Sequence, residues 1–143
     1  MRILAIDPGE KNIGLALSDP TGTIANPLKV LEHKARAKDA KAIVRLAEQY
    51  NVERIIVGQN LDVDGSPTYQ GRKARRLAAA IRARTDIRIE FWDEYGSTQT
   101  ARDARIAMGV SRRKRSGHLD ALAATVILQS YLNANQALCK ENL

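Results

Sequence analysis

The chain has 143 residues, 44% of them apolar, which suffices for one ordinary domain with a real hydrophobic core. Lys and Arg number 23 against 16 Asp and Glu, a net charge of +7 that points to a polyanionic partner such as nucleic acid. No apolar run approaches the ~20 residues of a membrane span, Asp7 comes too early for a signal-peptide core, and the single cysteine, Cys139, excludes an internal disulfide; a cytoplasmic protein without membrane contact is expected.

Residues 2–7 read as a buried strand that ends in the turn Asp7-Pro8-Gly9. Ile13 to Ser18 is a second strand, closed by Asp19-Pro20-Thr21-Gly22. Ile24 to Leu31 is a third, in which Pro27 requires a sheet edge or a bulge. The short connections imply an antiparallel meander. The pattern then changes. Ala40, Ile43, Val44 and Ala47 recur at helical spacing over about 38–50, and Arg54-Ile55-Ile56-Val57-Gly58 is a short buried strand. Gln59 to Thr68 reads as an exposed loop. Ala74, Leu77, Ala78 and Ile81 mark a second helix, and Ile87 to Trp92 a fifth strand. Further helices are expected over about 97–108 and 117–132, and 134–143 reads as a loose tail. Three antiparallel strands followed by strands alternating with helices are an α/β layout of the ribonuclease H-like type: one domain over residues 1–133, with a mixed five-stranded sheet and helices on both faces. By analogy with that fold, the first strand should lie centrally, flanked by the strands that follow the first and second helices.

Acidic residues stand where apolar runs meet turns or helix starts: Asp7, the pair Asp93-Glu94, and Asp120. Clustered carboxylates at a sheet end repel one another unless a cation compensates them. Oxygen ligands of this kind suit Mg²⁺ or Mn²⁺. Each acid also has a plain reading. Asp7 can cap an Asp-Pro-Gly turn, and Asp120 can meet the dipole of a helix N-terminus. Asp120, however, shares its helix face with Ala124, Ile127, Leu128 and Tyr131. Alternation sends Asp93 and Glu94 to opposite faces, and spacing alone does not choose between them. His118, two residues before Asp120, is either a general acid or water-orienting group, or an ordinary helix-start residue. His33 has no such context and reads as a surface residue.

The run from Asp7-Pro8-Gly9-Glu10-Lys11-Asn12-Ile13-Gly14 to Ser18-Asp19 resembles the opening signature of the YqgF/RuvX family, a RuvC-like branch of the ribonuclease H-like nucleases. The resemblance continues at Ile56-Val57-Gly58 with Asp64-Gly65, at Asp93-Glu94 with Ser97-Thr98, and from Asp120 to Leu132. It implies that Asp7, Glu94 and Asp120 bind the metal and carry catalysis, with Asp93 the alternative of its pair. The chain departs from the family pattern at Asn12, where Lys-Arg is usual, at Tyr95 in place of Arg, and at Gly58-Gln59-Asn60 in place of Gly-Leu-Pro.

Phosphodiester hydrolysis with two metal ions needs carboxylates to hold the pair and cations to grip phosphate. Arg112, Arg113, Lys114 and Arg115 immediately precede the helix of Asp120. Lys11 lies in the first turn, and Arg72, Lys73 and Arg76 crowd the second helix. These are the expected nucleic-acid contacts, although a solvated charge run would look the same. With one Trp, four Tyr and one Phe, a base-stacking platform is not expected. The family resemblance implies maturation of the 5′ end of small-subunit ribosomal RNA precursor. The RuvC likeness implies resolution of four-way DNA junctions, which needs a dimer, so monomer and homodimer both stay open. A rival from another class is an RNA-binding factor without catalysis. Sugar kinases and actin-like ATPases open similarly but need two such domains, more than this length supplies.

Overall fold

The computed structural model of the chain describes residues 1–59, 69–93 and 115–141, and within them only the backbone of 70, 115–120 and 136–141. Five strands form one sheet: β1 (Arg2–Pro8), β2 (Asn12–Ser18), β3 (Ala25–Glu32), β4 (Val52–Gln59) and β5 (Arg88–Asp93). Three helices accompany them among the described residues: α1 (Arg36–Gln49), α2 (Tyr69–Arg82) and α3 (Arg115–Glu141). The strand order is β3-β2-β1-β4-β5. β1 pairs antiparallel with β2 and parallel with β4, and β4 pairs parallel with β5. β1 is therefore central, as expected, but its neighbours are β2 and β4, and β5 lies one strand further out. The apolar pattern explains this order. In β4, Ile55, Ile56 and Val57 are all fully buried, as an interior strand with both faces covered requires, whereas β5 alternates apolar residues with Arg88 and Glu90.

Alternation along the strands divides the core into two. Leu4, Ile6, Ile13, Leu15, Ile55 and Val57 face α1 and α2, meeting Ala40, Ile43, Ala47, Ala74, Leu77, Ala78 and Ile81. Ile3, Ala5, Ala16 and Ile56 face the other way, onto Ala124, Ile127, Leu128, Tyr131 and Leu132 of α3. Helices thus cover both faces. Pro27 sits on edge strand β3 beside a register shift at Leu15/Ala16, so both the edge and the bulge are realised. The helix expected over 97–108 lies outside the described residues. α3 runs on to Glu141, so residues 134–141 are helical rather than a loose tail. The stretch after Gly117 contains neither Gly nor Pro and is rich in Ala and Leu, which propagate a helix readily. No helix among the described residues is long and apolar enough to cross a membrane.

Candidate active site at the carboxyl edge of the sheet

β1, β4 and β5 run parallel, so their carboxyl ends share one edge of the sheet: Asp7 closes β1, Gly58-Gln59 close β4, and Asp93 closes β5 opposite Gln59. Crevices at this edge are where open α/β sheets bind ligands. Asp7 is half-buried and continues the Ile3, Ala5 series, which places its side chain on the α3 face. Its cross-strand partner on β2 is Gly14. On the other side Ile6 pairs with Val57, and the next residue along β4 is Gly58. Each flanking strand thus carries a glycine beside Asp7, a pattern expected where a ligand or another backbone approaches closely. The turn after Asp7 is closed by the backbone itself. Gly9 N–H donates to the carbonyl of Asn12 at 2.9 Å, and a Cβ on Gly9 would stand 2.5 Å from that oxygen.

α3 lies across the same face with its direction fixed by polar ties near its middle. Gln129 Oε1 accepts the N–H of Ala25 at 2.9 Å. The Tyr131 hydroxyl accepts from Arg54 at 2.6 Å and donates to Glu90 at 2.8 Å. Trp92 donates its indole N–H to Ser130 at 3.2 Å and meets the Tyr131 ring edge-on, with centroids 5.3 Å apart. Arg54 pairs with Ile3, so Tyr131 sits over the amino-terminal end of β1. From there the helix leads back toward the carboxyl edge. Eleven residues of helix cover about 16 Å and the strand from Ile3 to Asp7 about 13 Å, so the backbone of position 120 returns to roughly the level of Asp7. Position 120 is also four residues before buried Ala124, on the same stripe of the helix.

Other expected site residues are distributed unevenly. Asp93 is exposed and follows Ile89 and Phe91 in the alternation, so it lies on the α1/α2 face, away from that of Asp7. Glu94, Arg112, Arg113 and Lys114 lie outside the described residues. Arg115, His118 and Asp120 belong to the first part of α3, described as backbone only. Accordingly, the described residues contain no group of three metal-ligating side chains. The donor that remains, the carboxylate of Asp7, suits a hard divalent cation. Lys11 is exposed in the β1–β2 turn. Arg72 and Arg76 are exposed on α2 and Lys73 half-buried, while Tyr69 lies beneath Arg72 and Lys73 at 6.0 and 5.0 Å from its ring centroid.

Sequence reasoning missed a second polar cluster beside this edge. His33, read as an unremarked surface residue, gives a hydrogen bond from Nδ1 to Asp39, a carboxylate only 4% exposed in the first turn of α1. Asp39 also accepts the Lys34 N–H at 3.2 Å. The available signal was Asp39 itself, four residues before Ile43 on the apolar stripe of α1 and therefore in need of a partner.

A family model described as RuvX, a Holliday junction resolvase, matches residues 1–134. The chain belongs to this family. Among curated relatives, a protein of Desulforamulus reducens named "Putative pre-16S rRNA nuclease" is 40% identical over 134 residues, covering 94% of this chain and 98% of the relative. One of the same name from Clostridium acetobutylicum is 39% identical, covering 94% and 99%. Among solved structures, Thermus thermophilus RuvC bound to a Holliday junction substrate superposes with a TM-score of 0.59 at 18% identity, covering 95% of this chain and 96% of that one. The fowlpox virus resolvase with its junction DNA gives 0.55 at 12% identity, covering 94% and 98%. These likenesses show the fold, the ribonuclease H-like fold of RuvC, and the family makes the chain a nuclease.

Proposed function

We propose that Asp7, Glu94 and Asp120 form the catalytic centre of a metal-dependent nuclease that acts in the cytoplasm on structured RNA. The reading rests chiefly on Asp7: a strand-end carboxylate on the α3 face, flanked by Gly14 and Gly58, with α3 running back to its level. In the Asp93-Glu94 pair, the placement of Asp93 on the opposite face favours Glu94 as the ligand. The three carboxylates would hold a pair of Mg²⁺ or Mn²⁺ ions, which when bound supply charge stabilisation at the attacking and leaving oxygens of a phosphodiester. Asp7, Glu94 and Asp120 would each contribute carboxylate oxygens to hold these ions. His118, two residues before Asp120 in the sequence, would orient water or donate a proton to the leaving group. Arg112, Arg113, Lys114 and Arg115 would grip substrate phosphates beside Asp120, and Lys11, Arg72, Lys73 and Arg76 would hold the flanking strand.

The name shared by the curated relatives favours 5′-end maturation of pre-16S rRNA as the reaction. The family description favours four-way DNA junctions as the second substrate. The deciding experiment compares cleavage of a pre-16S rRNA mimic with cleavage of a Holliday junction in Mg²⁺ and in Mn²⁺. Asp7→Asn and Asp120→Asn should each lower the rate by at least about 100-fold, the scale on which catalytic electrostatic groups act. Equal cleavage by both variants and the wild type refutes the carboxylate centre. Junction cleavage accompanied by a dimer in sedimentation assigns the second substrate instead.

A further inference from the structure

We propose that a cleft on the α1/α2 side of the β1–β2 turn is a phosphate-binding subsite of this nuclease, seating a phosphoryl group of the nucleic-acid strand that flanks the cleavage site. The inference rests on the nuclease reading for its ligand and on the cleft for its chemistry. The cleft has a volume of about 190 Å³ and is lined by Pro8, Gly9 and Ile13 of the first turn, His33 and Ala35 before α1, and Arg36, Asp39, Lys73, Arg76 and Leu77 of the two helices. One water needs only about 10–15 Å³, so a tetrahedral anion with part of its hydration fits.

Its charge favours an anion. Three basic side chains, Arg36, Lys73 and Arg76, converge on it from two helices, and none of them pairs with a carboxylate among the described residues. Unpaired arginines around a concavity are the usual grip for phosphoryl oxygens, because the planar guanidinium donates two parallel hydrogen bonds. The one acid in the lining, Asp39, does not oppose this. It is buried, and its oxygens are already taken by His33 Nδ1 and the Lys34 N–H. The pairing keeps the His33 proton on Nδ1 and fixes the ring against the cleft wall. α1 also opens here without a side-chain cap at Ala35, so its first N–H groups add a favourable dipole. Finally, the cleft adjoins the turn that follows Asp7, on the face of the sheet opposite the Asp7 side chain. Pro8 and Gly9 follow Asp7 directly, and His33 N–H donates to the Lys11 carbonyl at 2.8 Å, joining the wall to the same turn. A strand whose phosphate sat in the cleft would be held where the chain turns from Asp7.

The test uses the full chain in EDTA, where the carboxylate edge binds no metal, and follows two readouts. Inorganic phosphate is titrated into ¹⁵N-histidine-labelled protein: the His33 imidazole resonance should shift and that of His118 should not. Binding of a short RNA carrying either a 5′-phosphate or a 5′-hydroxyl is measured by anisotropy for wild type, Arg36→Ala, Arg76→Ala and, as a charge-matched control away from the cleft, Arg45→Ala. Arg36→Ala and Arg76→Ala should each weaken binding by about tenfold, the scale of a hydrogen bond to a charged group, and Arg45→Ala by far less. A preference for the 5′-phosphate assigns a terminal monoester to the cleft, and equal binding of the two RNAs an internal diester. An unmoved His33 resonance, or equal losses in all three variants, overturns the subsite. Cleavage of the rRNA mimic with Mg²⁺ is measured alongside. Intact cleavage without cleft binding overturns the subsite alone, whereas cleft binding without cleavage overturns the nuclease reading alone.

Discussion

Replacing Tyr131 by Phe tests how α3 is fastened to the sheet. Tyr131 is 3% exposed; its ring packs edge-on against Trp92, and its hydroxyl stands between Arg54 and Glu90. The substitution keeps the ring and removes both hydrogen bonds. Neither partner is left stranded: Glu90 keeps Arg88 at 3.2 Å and Arg54 at 3.9 Å, and both ends of the pair retain some access to water. The cost should therefore be that of lost hydrogen bonds without a buried orphan, about 1–2 kcal/mol. For a chain of this length that corresponds to a fall in Tm of roughly 3–7 °C. Tyr131→Ala also vacates the ring and should cost about 3–5 kcal/mol. Trp92, the single tryptophan, lies in the same contact, so urea unfolding followed by its fluorescence reads the docking of α3 directly. Below its melting temperature Tyr131→Phe should cleave at the wild-type rate, because the packed stripe that orients α3 remains. A Tyr131→Phe variant as stable as wild type, or as unstable as Tyr131→Ala, would refute this account.

Ser18→Ala removes the hydroxyl that accepts the buried Ile3 N–H at 2.8 Å and should destabilise the fold by about 1–3 kcal/mol in denaturant titrations. Gly9→Ala drives a Cβ into the backbone oxygen of Asn12, so the turn must open; a loss of about 1–3 kcal/mol is expected, with reduced cleavage even below the melting temperature because Asp7 lies two residues away. Asp19 carries a pH effect. The N–H of Ile24, the hydroxyl of Thr21 and the N–H of Thr23 hold its carboxyl well below the ordinary carboxylate range. A depressed folded value means stability that is present above the unfolded value of about 3.9 and lost as pH falls through the folded one. The Tm of Asp19→Asn should therefore lie below wild type by a constant amount from neutral pH to about pH 5, with the gap narrowing in more acidic buffers.

What was legible in the sequence follows from the range of the interactions involved. Period-two and period-3.6 patterns located every described strand and helix, missing only how far α3 continues past residue 132, because burial of one face is a local property of the chain. Pro27 announces an edge or a bulge for the same reason, and the structure has both. The lateral order of the strands is not local. The fold analogy puts β5 next to β1, whereas Ile55-Ile56-Val57, apolar on both faces, and Arg88-Ile89-Glu90, which alternates as an outer strand does, put β4 there. The cleft was less legible still. His33, Arg36, Asp39, Lys73 and Arg76 come from a loop and two helices, and no spacing in the chain relates them.

The reading of Asp7 shows where the two kinds of information meet. As a sequence, Asp-Pro-Gly is an ordinary turn in which the acid caps the backbone. In the folded chain the turn is closed by Gly9 and Asn12, and Asp7 is a residue of the central strand. The glycines beside it, Gly14 and Gly58, stand 7 and 51 positions further on by their numbers, and only the pairing of β1 with β2 and β4 brings them to its sides. Glycine inside a strand weakens the sheet that contains it. Two such positions on either side of one strand-end carboxylate are hard to account for by stability and easily accounted for by a ligand. Substituting Gly14 or Gly58 by alanine should therefore impair cleavage more than folding, a contrast that a turn-capping role for Asp7 does not produce.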